Sequence, residues 1–520
     1  MGAGDISVDP SPQEAQHQEN NSESFPHNVD DAAGESAYAV KQDDAPLTIP
    51  LGHQTSTSSL LTLPQMRKLV GDYPEEFIFL VEENRPRPLS FQYDGGDDDD
   101  FEDVQVIIER TLADEYFERY LTLVHQFRPM FELDDLRARY EKTMDNGLEK
   151  NLQSALFLPI LALGATALDP VDRSRVKYSG DMLTKMALRI LFPSWAVSFK
   201  GDLVLSQALT LCALYFCYVV EPLTAWKLVH MASTSIQQII CRRREHLPPD
   251  IDQDVIRTSW VCFLIECNIL AEFHQPRSGI EMVVDRMSLP RYGPTFTTEG
   301  LFCLADISAR LLLNRIHHAI YFTDSLSIYA GLRQGLYTMS TSDPDISLLR
   351  VCEELDRQLE TWYKALPEAI KPDLSGASGN SIQACVLRLR YWSAKHNIYR
   401  PFIVFVTSQL AEESEIGVHR VILDRCETCL SACRMFLYSA GYVLSQRTPY
   451  TFSSAQCVLG FSLVVALAAQ TPTLAKLVGD ISNLLETAIG LLTPWALPNS
   501  SLECGLEIVT SIHRKLRVQP

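Results

Sequence analysis

From Val104 to the end of the chain, apolar residues recur every three to four positions. Ile107, Ile108, Leu112, Tyr116, Phe117, Tyr120 and Leu121 fall on one face when the segment is wound as an α-helix. The same period predicts helices over about 151–168, 178–192, 202–219, 223–243, 251–272, 299–332, 346–366, 380–407, 416–446, 453–470 and 474–492. Prolines punctuate the pattern at Pro170, Pro193, Pro222, Pro248, Pro249, Pro290, Pro344, Pro367, Pro372, Pro449, Pro472 and Pro494, where they are expected to end one helix or open the next. No stretch alternates apolar and polar residues long enough to predict a strand, and no repeat of roughly 34 or 40 residues marks a solenoid. The pattern predicts an all-α fold, an irregular multi-helix array.

The first part of the chain breaks this rhythm. Residues 1–46 carry ten acidic residues against one lysine and almost no aliphatic side chains. Too little apolar area is available there to offset the entropy of ordering, so residues 1–59 are expected to form a disordered acidic segment. Residues 60–93 contain the mixed run Leu60 to Val81, whose Leu, Phe and Ile side chains call for a partner surface, and predict a short amphipathic docking segment. A dense acidic run from Asp94 to Asp103 then reads as a solvated linker, because like charges at this density repel. Residues 104–520 form the expected helical body.

Composition narrows the function. The chain has 520 residues, 46% hydrophobic and 21% charged, enough for a large core. Its net charge of −20 argues against a surface that tracks nucleic acid throughout, because phosphate binding needs clustered cations. Arg242, Arg243 and Arg244, and the run from His513 to Arg517, are short and suit helix C-termini, where cations face the negative end of the dipole; a nuclear import signal or phosphate contact is the other reading. No apolar run in the first 46 residues resembles a signal peptide. Leu203 to Val220 is uncharged over 18 residues, near the short limit for a bilayer, but Ser206 and Gln207 within it and acids at both ends favour a buried core helix, so no membrane is expected.

Thirteen cysteines begin only at Cys212 and sit in apolar helical runs, as free buried thiols do in a reducing compartment. Cys426, Cys429 and Cys433 share one helical face and read as core rather than as metal ligands. Asp99, Asp100 and Asp103 fit the aspartate-rich pattern by which all-α terpene synthases hold magnesium, yet no second metal-binding motif follows and the run lies in the linker. His317 and His318 lack carboxylates at ligand spacing and read as a polar patch. Phosphate-loop, zinc-protease, serine-elbow and dinucleotide motifs are absent. No catalytic, cofactor-binding or metal-binding residue is assigned.

Four stretches, taken in order, resemble the fungal-specific transcription factor domain, the middle homology region of fungal zinc-cluster regulators. The first runs from Tyr116 and Phe117 through Phe127-Arg128-Pro129 to Phe131. The second holds Gln207-Ala208-Leu209 and then Ala225-Trp226. The third joins the helix of Trp260 to the loop Gln275-Pro276-Arg277-Ser278-Gly279. The fourth runs from Leu387-Arg388-Leu389-Arg390-Tyr391-Trp392 to Tyr399-Arg400-Pro401-Phe402. On physical grounds Trp226 and Trp260 are expected to fill core space, Arg400-Pro401 to end a helix, and the loop at Pro276, Ser278 and Gly279 to fix a chain reversal.

The resemblance implies a nuclear regulator of a metabolic or secondary-metabolite gene set. The six-cysteine zinc module that precedes this region in the family has no counterpart before Cys212, which implies DNA contact through a partner, either a DNA-binding transcription factor or a second copy of the chain. The acidic segments are candidates for contact with the transcription machinery. A small-molecule effector bound within the helical body is a second reading, which calls for a cavity of roughly 300 Å³ or more. An all-α enzyme is the third.

Overall fold

A computed structural model describes residues 47–86, 108–174, 177–241, 252–293, 297–321, 348–375, 381–409 and 420–518. The expectations for residues 1–46, the acidic run 94–103 and Arg242 to Arg244 lie outside these. Every regular element among the described residues is helical, so the fold is all-α.

Three short helices lead: α1 (Thr57–Leu61), α2 (Pro64–Val70) and α3 (Phe77–Asn84). The body follows with α4 (Arg110–Arg119), a π-turn at Tyr120–Val124, α5 (Leu133–Asn146), α6 (Leu152–Thr166), α7 (Asp181–Val197), α8 (Leu203–Tyr218), α9 (Pro222–Cys241), α10 (Gln253–Leu270) and α11 (Ile280–Val284). It continues with α12 (Thr298–Tyr321), α13 (Leu348–Ala365), α14 (Ile382–Gln409), α15 (Arg420–Leu444), α16 (Thr451–Ala469), α17 (Pro472–Val478), α18 (Ile481–Leu492) and α19 (Ser501–Val518). Side-chain caps fix several starts: Asn151, Asp202 and Asp480 accept the backbone N–H three residues on, at 2.9, 3.0 and 3.1 Å.

One layer is built on α6 and α8, which pack on each other and on α7, with α9 and α10 against α8. Neither α6 nor α8 carries a charged residue, and each buries 13 residues. Gly164 on α6 faces Tyr116 of α4 so closely that a Cβ there would lie 1.8 Å from the Tyr116 carbonyl oxygen; only glycine permits this crossing. A second layer is built on α14, which packs along α15 and against α12, with α16 across α15. Helix α16 is apolar and long enough to span a bilayer, and 83% of its apolar window is buried inside the protein, as a core helix requires.

The segment assigned from sequence to docking finds its surface within the same chain. Helix α1 packs on α16, α2 on α19, and α3 on α9 and α19. Residues 47–56, placed by sequence in the acidic segment, are also ordered, with His53, Thr55 and Ser56 buried. Short polar side chains that hydrogen-bond, rather than aliphatic bulk, hold them.

Helices α5, α11 and α19 lie outside the spans read from spacing, and two prolines sit within helices. Helix α5 buries only Leu136, Tyr140 and Thr143, a stripe too thin to stand out. The run from His513 to Arg517 closes α19, where its cations suit the helix end; His513 and Arg517 reach Glu486 on α18, and Lys515 Nζ donates to the Leu69 carbonyl at 2.6 Å. Pro193 and Pro401 lie inside α7 and α14 rather than between helices. At Pro401 the reason is visible. The missing N–H leaves the Asn397 carbonyl without its helical donor, and the Tyr321 hydroxyl donates to that oxygen at 2.6 Å.

Candidate functional site

The residues that carried the resemblance divide into two groups. One group sews a loop to the body. Trp226 Nε1 donates to the Pro276 carbonyl at 3.2 Å, Gln237 Nε2 to the Ser278 carbonyl at 2.8 Å, and the Ser278 N–H to buried Glu266 at 2.6 Å. Gly279 then takes a φ of +84°, a left-handed conformation that suits glycine, and caps α11. The loop does reverse the chain, and Trp260 is core as expected, 4% exposed with its indole N–H on the Ser288 carbonyl. Trp226 is not. It is half-buried beside His230, at a surface groove of about 270 Å³ shared with Phe79 and Arg85. In the first layer Phe117 stacks on Tyr140 at 4.0 Å beside half-buried Tyr116, while Gln207 and Ala225 are buried.

The other group converges on a buried polar chamber. Its anchor is Asp306, wholly buried on α12. Arg390 Nε donates to Oδ1 at 2.9 Å; Arg128 Nη1 and the Tyr450 hydroxyl donate to Oδ2, each at 3.0 Å. Burial pushes the Asp306 carboxyl up, but Arg390 and Arg128 outweigh it and hold the group below the usual carboxylate range. Arg390 also donates to Asn268 at 3.0 Å, and Tyr391 beside it donates to Glu360 at 2.6 Å. Arg128 comes from the first resemblance stretch and Arg390 from the fourth. Asp306 lies in neither and was missed. A lone acid at a core-facing position of an apolar helix was the available signal.

Above this anchor runs the segment before α1. Arg400 caps no helix end: its Nη1 and Nη2 donate to the carbonyls of Thr55 and Gln54 at 3.0 and 2.7 Å, and it lies over the Tyr321 ring. His53 Nε2 donates to the Leu270 carbonyl at 2.8 Å, so its Nδ1 is an acceptor, and the Thr55 hydroxyl donates to it. The Thr55 oxygen in turn accepts from His317 Nδ1 at 2.6 Å. The sequence placed His317 in a polar patch; it is buried in this relay, while His318 is half-buried. Burial holds His53 down to about 3 and His317 well below the ordinary imidazole range, so both are neutral at physiological pH.

Arg310, Arg390, Arg400, Glu272 and Gln456 line a cavity of about 90 Å³ in this chamber. Burial pushes Glu272 up to about 7, and its carboxylate accepts the Thr57 N–H at 3.0 Å. Beside the cavity, His396 Nδ1 lies 3.2 Å from Cys433 Sγ and 3.8 Å from Cys429 Sγ. These three buried donors fall within 4.8 Å of one another, one fewer than a four-coordinate structural zinc site uses. Spacing alone had shown the cysteines; only the fold brings His396 from α14 to meet them. Cys426 is buried on the same face.

Most of the chamber's polar groups are buried and bonded to one another, while Arg310 Nη2 is buried without a partner among the described residues. Comparison with known proteins finds a distant likeness: the chain is 26% identical over 350 residues, 61% of its length, to "Putative transcription factor ecdB" of Aspergillus rugulosus. The chain spans 58% of that relative's own length. No protein-family model and no solved structure matches the chain. The likeness fits a fungal transcription factor and points away from enzyme activity.

Proposed function

We propose that the chain is a transcriptional regulator whose helical body transmits regulation through protein contacts, pairing with a second copy or with a partner chain, and that DNA is read by a DNA-binding partner. The observation that carries this reading is the likeness to a named transcription factor over 61% of the chain. The net charge of −20 supports the dependence on a partner. On this reading the chain works in the nucleus, on a metabolic or secondary-metabolite gene set, and the acidic run 94–103 contacts the transcription machinery.

The test is a reporter assay with the chain fused to a heterologous DNA-binding domain. A change in reporter output, up or down, is expected; unchanged output overturns the regulator reading. A mobility-shift titration of the chain alone is expected to show weak, salt-sensitive binding only. Tight sequence-specific binding there would overturn the partner requirement.

A further inference from the structure

The charges of the buried chamber do not balance. Arg128, Arg310, Arg390 and Arg400 are each at least nine-tenths buried, and the carboxylates that face them among the described residues are Asp306 and Glu272. Asp306 is committed to Arg128 and Arg390. Glu272, with its carboxyl raised to about 7, carries only part of a charge at neutral pH. Arg310 is pushed down by burial and by neighbouring Arg390, but only to about 10, so it remains a cation.

Neither Arg310 nor Arg400 forms an ion pair among the described residues. Arg310 Nε donates to the neutral Asn314 side chain at 2.8 Å, and Arg400 to two backbone carbonyls. Arg310 Nη2 has no hydrogen-bond partner at all, on a residue 3% exposed. A buried guanidinium left without counter-charge is destabilising. Both cations border the same cavity of about 90 Å³, together with Arg390, the raised carboxyl of Glu272 and the neutral donors and acceptors Asn268, Ser453 and Gln456. That space takes about three waters, at roughly 30 Å³ each, or one phosphate-sized group.

We infer that this cavity is a binding site for a small, doubly charged oxyanion of the phosphate or short dicarboxylate class, held between Arg310 and Arg400. The size excludes a drug-sized effector, and the two unmatched cations set the charge. Thr55, Thr57 and Leu60 also line the cavity, and Arg400 already grips the backbone at Gln54 and Thr55. A bound anion therefore tightens the hold of the body on the segment that leads into α1. This goes beyond the proposed function and stands or falls independently of any role in transcription.

The test uses the full chain, dialysed into Tris chloride. Inorganic phosphate, sulfate and malonate are titrated by calorimetry, and the thermal midpoint is followed against sodium chloride at matched ionic strength. Saturable one-to-one binding by at least one of them is expected, with a midpoint rise that chloride does not give. Preference for phosphate and sulfate assigns a phosphoryl ligand, preference for malonate a carboxylate. Arg310→Met is expected to weaken binding about tenfold or more. It is also expected to leave the midpoint in chloride unchanged or higher, because it removes an unmatched buried charge. Should that variant fail to fold, Arg310→Lys keeps the charge while losing the fork, and an intermediate weakening is expected. Midpoints equal to chloride for all three anions overturn the site, as does undiminished binding by the folded Arg310 variant. Electron density for water alone in crystals grown with saturating phosphate does the same.

Discussion

Helices α6 and α8 in one layer and α12 and α14 in the other are both deeply buried, but by opposite means. The first pair carries no charged residue and is held by Leu, Ala, Phe and Tyr side chains. The second pair brings Asp306, Arg310, Asn314, His317, Arg390, His396 and Arg400 inside. An apolar layer is held by packing that many sequences could supply. A polar layer works only when each donor meets its acceptor, and replacing it by aliphatic residues would often be neutral or stabilising. The polar layer therefore depends on exact partners in a way the apolar layer does not.

The sharpest way to break this comparison is to remove the anchor. Asp306→Ala strands Arg128 and Arg390 and is expected to cost about 3–5 kcal/mol in urea unfolding. Leu209→Ala in the apolar layer serves as the control and is expected to cost about 3 kcal/mol, through cavity formation alone. Only the loss at Asp306 should shrink when Arg390→Met is added. Equal losses that stay additive would remove the distinction between the layers.

Acid tests the polar layer next. His53, His317 and His396 are held below their ordinary range by burial, so below pH 6.5 the folded chain binds fewer protons than the unfolded chain. Their contribution is whole above pH 6.5 and is lost as the pH falls toward the folded values. Glu272, raised from 4.5 to about 7, acts oppositely and gains as the pH falls across that window. Three imidazoles outweigh one carboxyl, so the unfolding free energy is expected to fall between pH 7 and 5. His53→Asn should remove roughly 2 kcal/mol of that fall, and a parallel pH profile in the variant would contradict the assignment.

Smaller effects refine the picture. Tyr321→Phe takes the donor from the carbonyl that Pro401 leaves unpaired, and is expected to cost about 1 kcal/mol in chemical denaturation. Trp226→Phe at the half-buried surface groove is expected to cost below about 1 kcal/mol, with far-ultraviolet circular dichroism unchanged. A loss as large as that at Asp306 would place Trp226 in the core after all.

Much of the fold was legible in sequence because burial of apolar helices leaves a periodic trace: α8, α9 and α10 fall within two residues of the spans read from spacing. Where the trace is thin, as in α5, it fails. Helix α14 runs on through Pro401 because the freed Asn397 carbonyl is met by Tyr321, 76 residues from Asn397 in the chain. The site was far less legible. Arg128 and Arg400 stood inside recognised stretches, but their roles depend on Asp306, Gln54 and Thr55, which lie 178, 346 and 345 residues away. Local spacing contains no information about such pairs.

The covering segment also has a practical consequence for fragment design. The acidic run ending at Asp103 invites expression of a fragment that starts at residue 104. Such a fragment would lose the Gln54 and Thr55 carbonyls, the Thr57 N–H and the Thr55 hydroxyl together. Arg400, Glu272 and His317 would then open to solvent, and α16 would lose the cover of α1. A soluble, assayable piece of this chain is therefore one that starts upstream of Leu47, however clean the later boundary looks on paper.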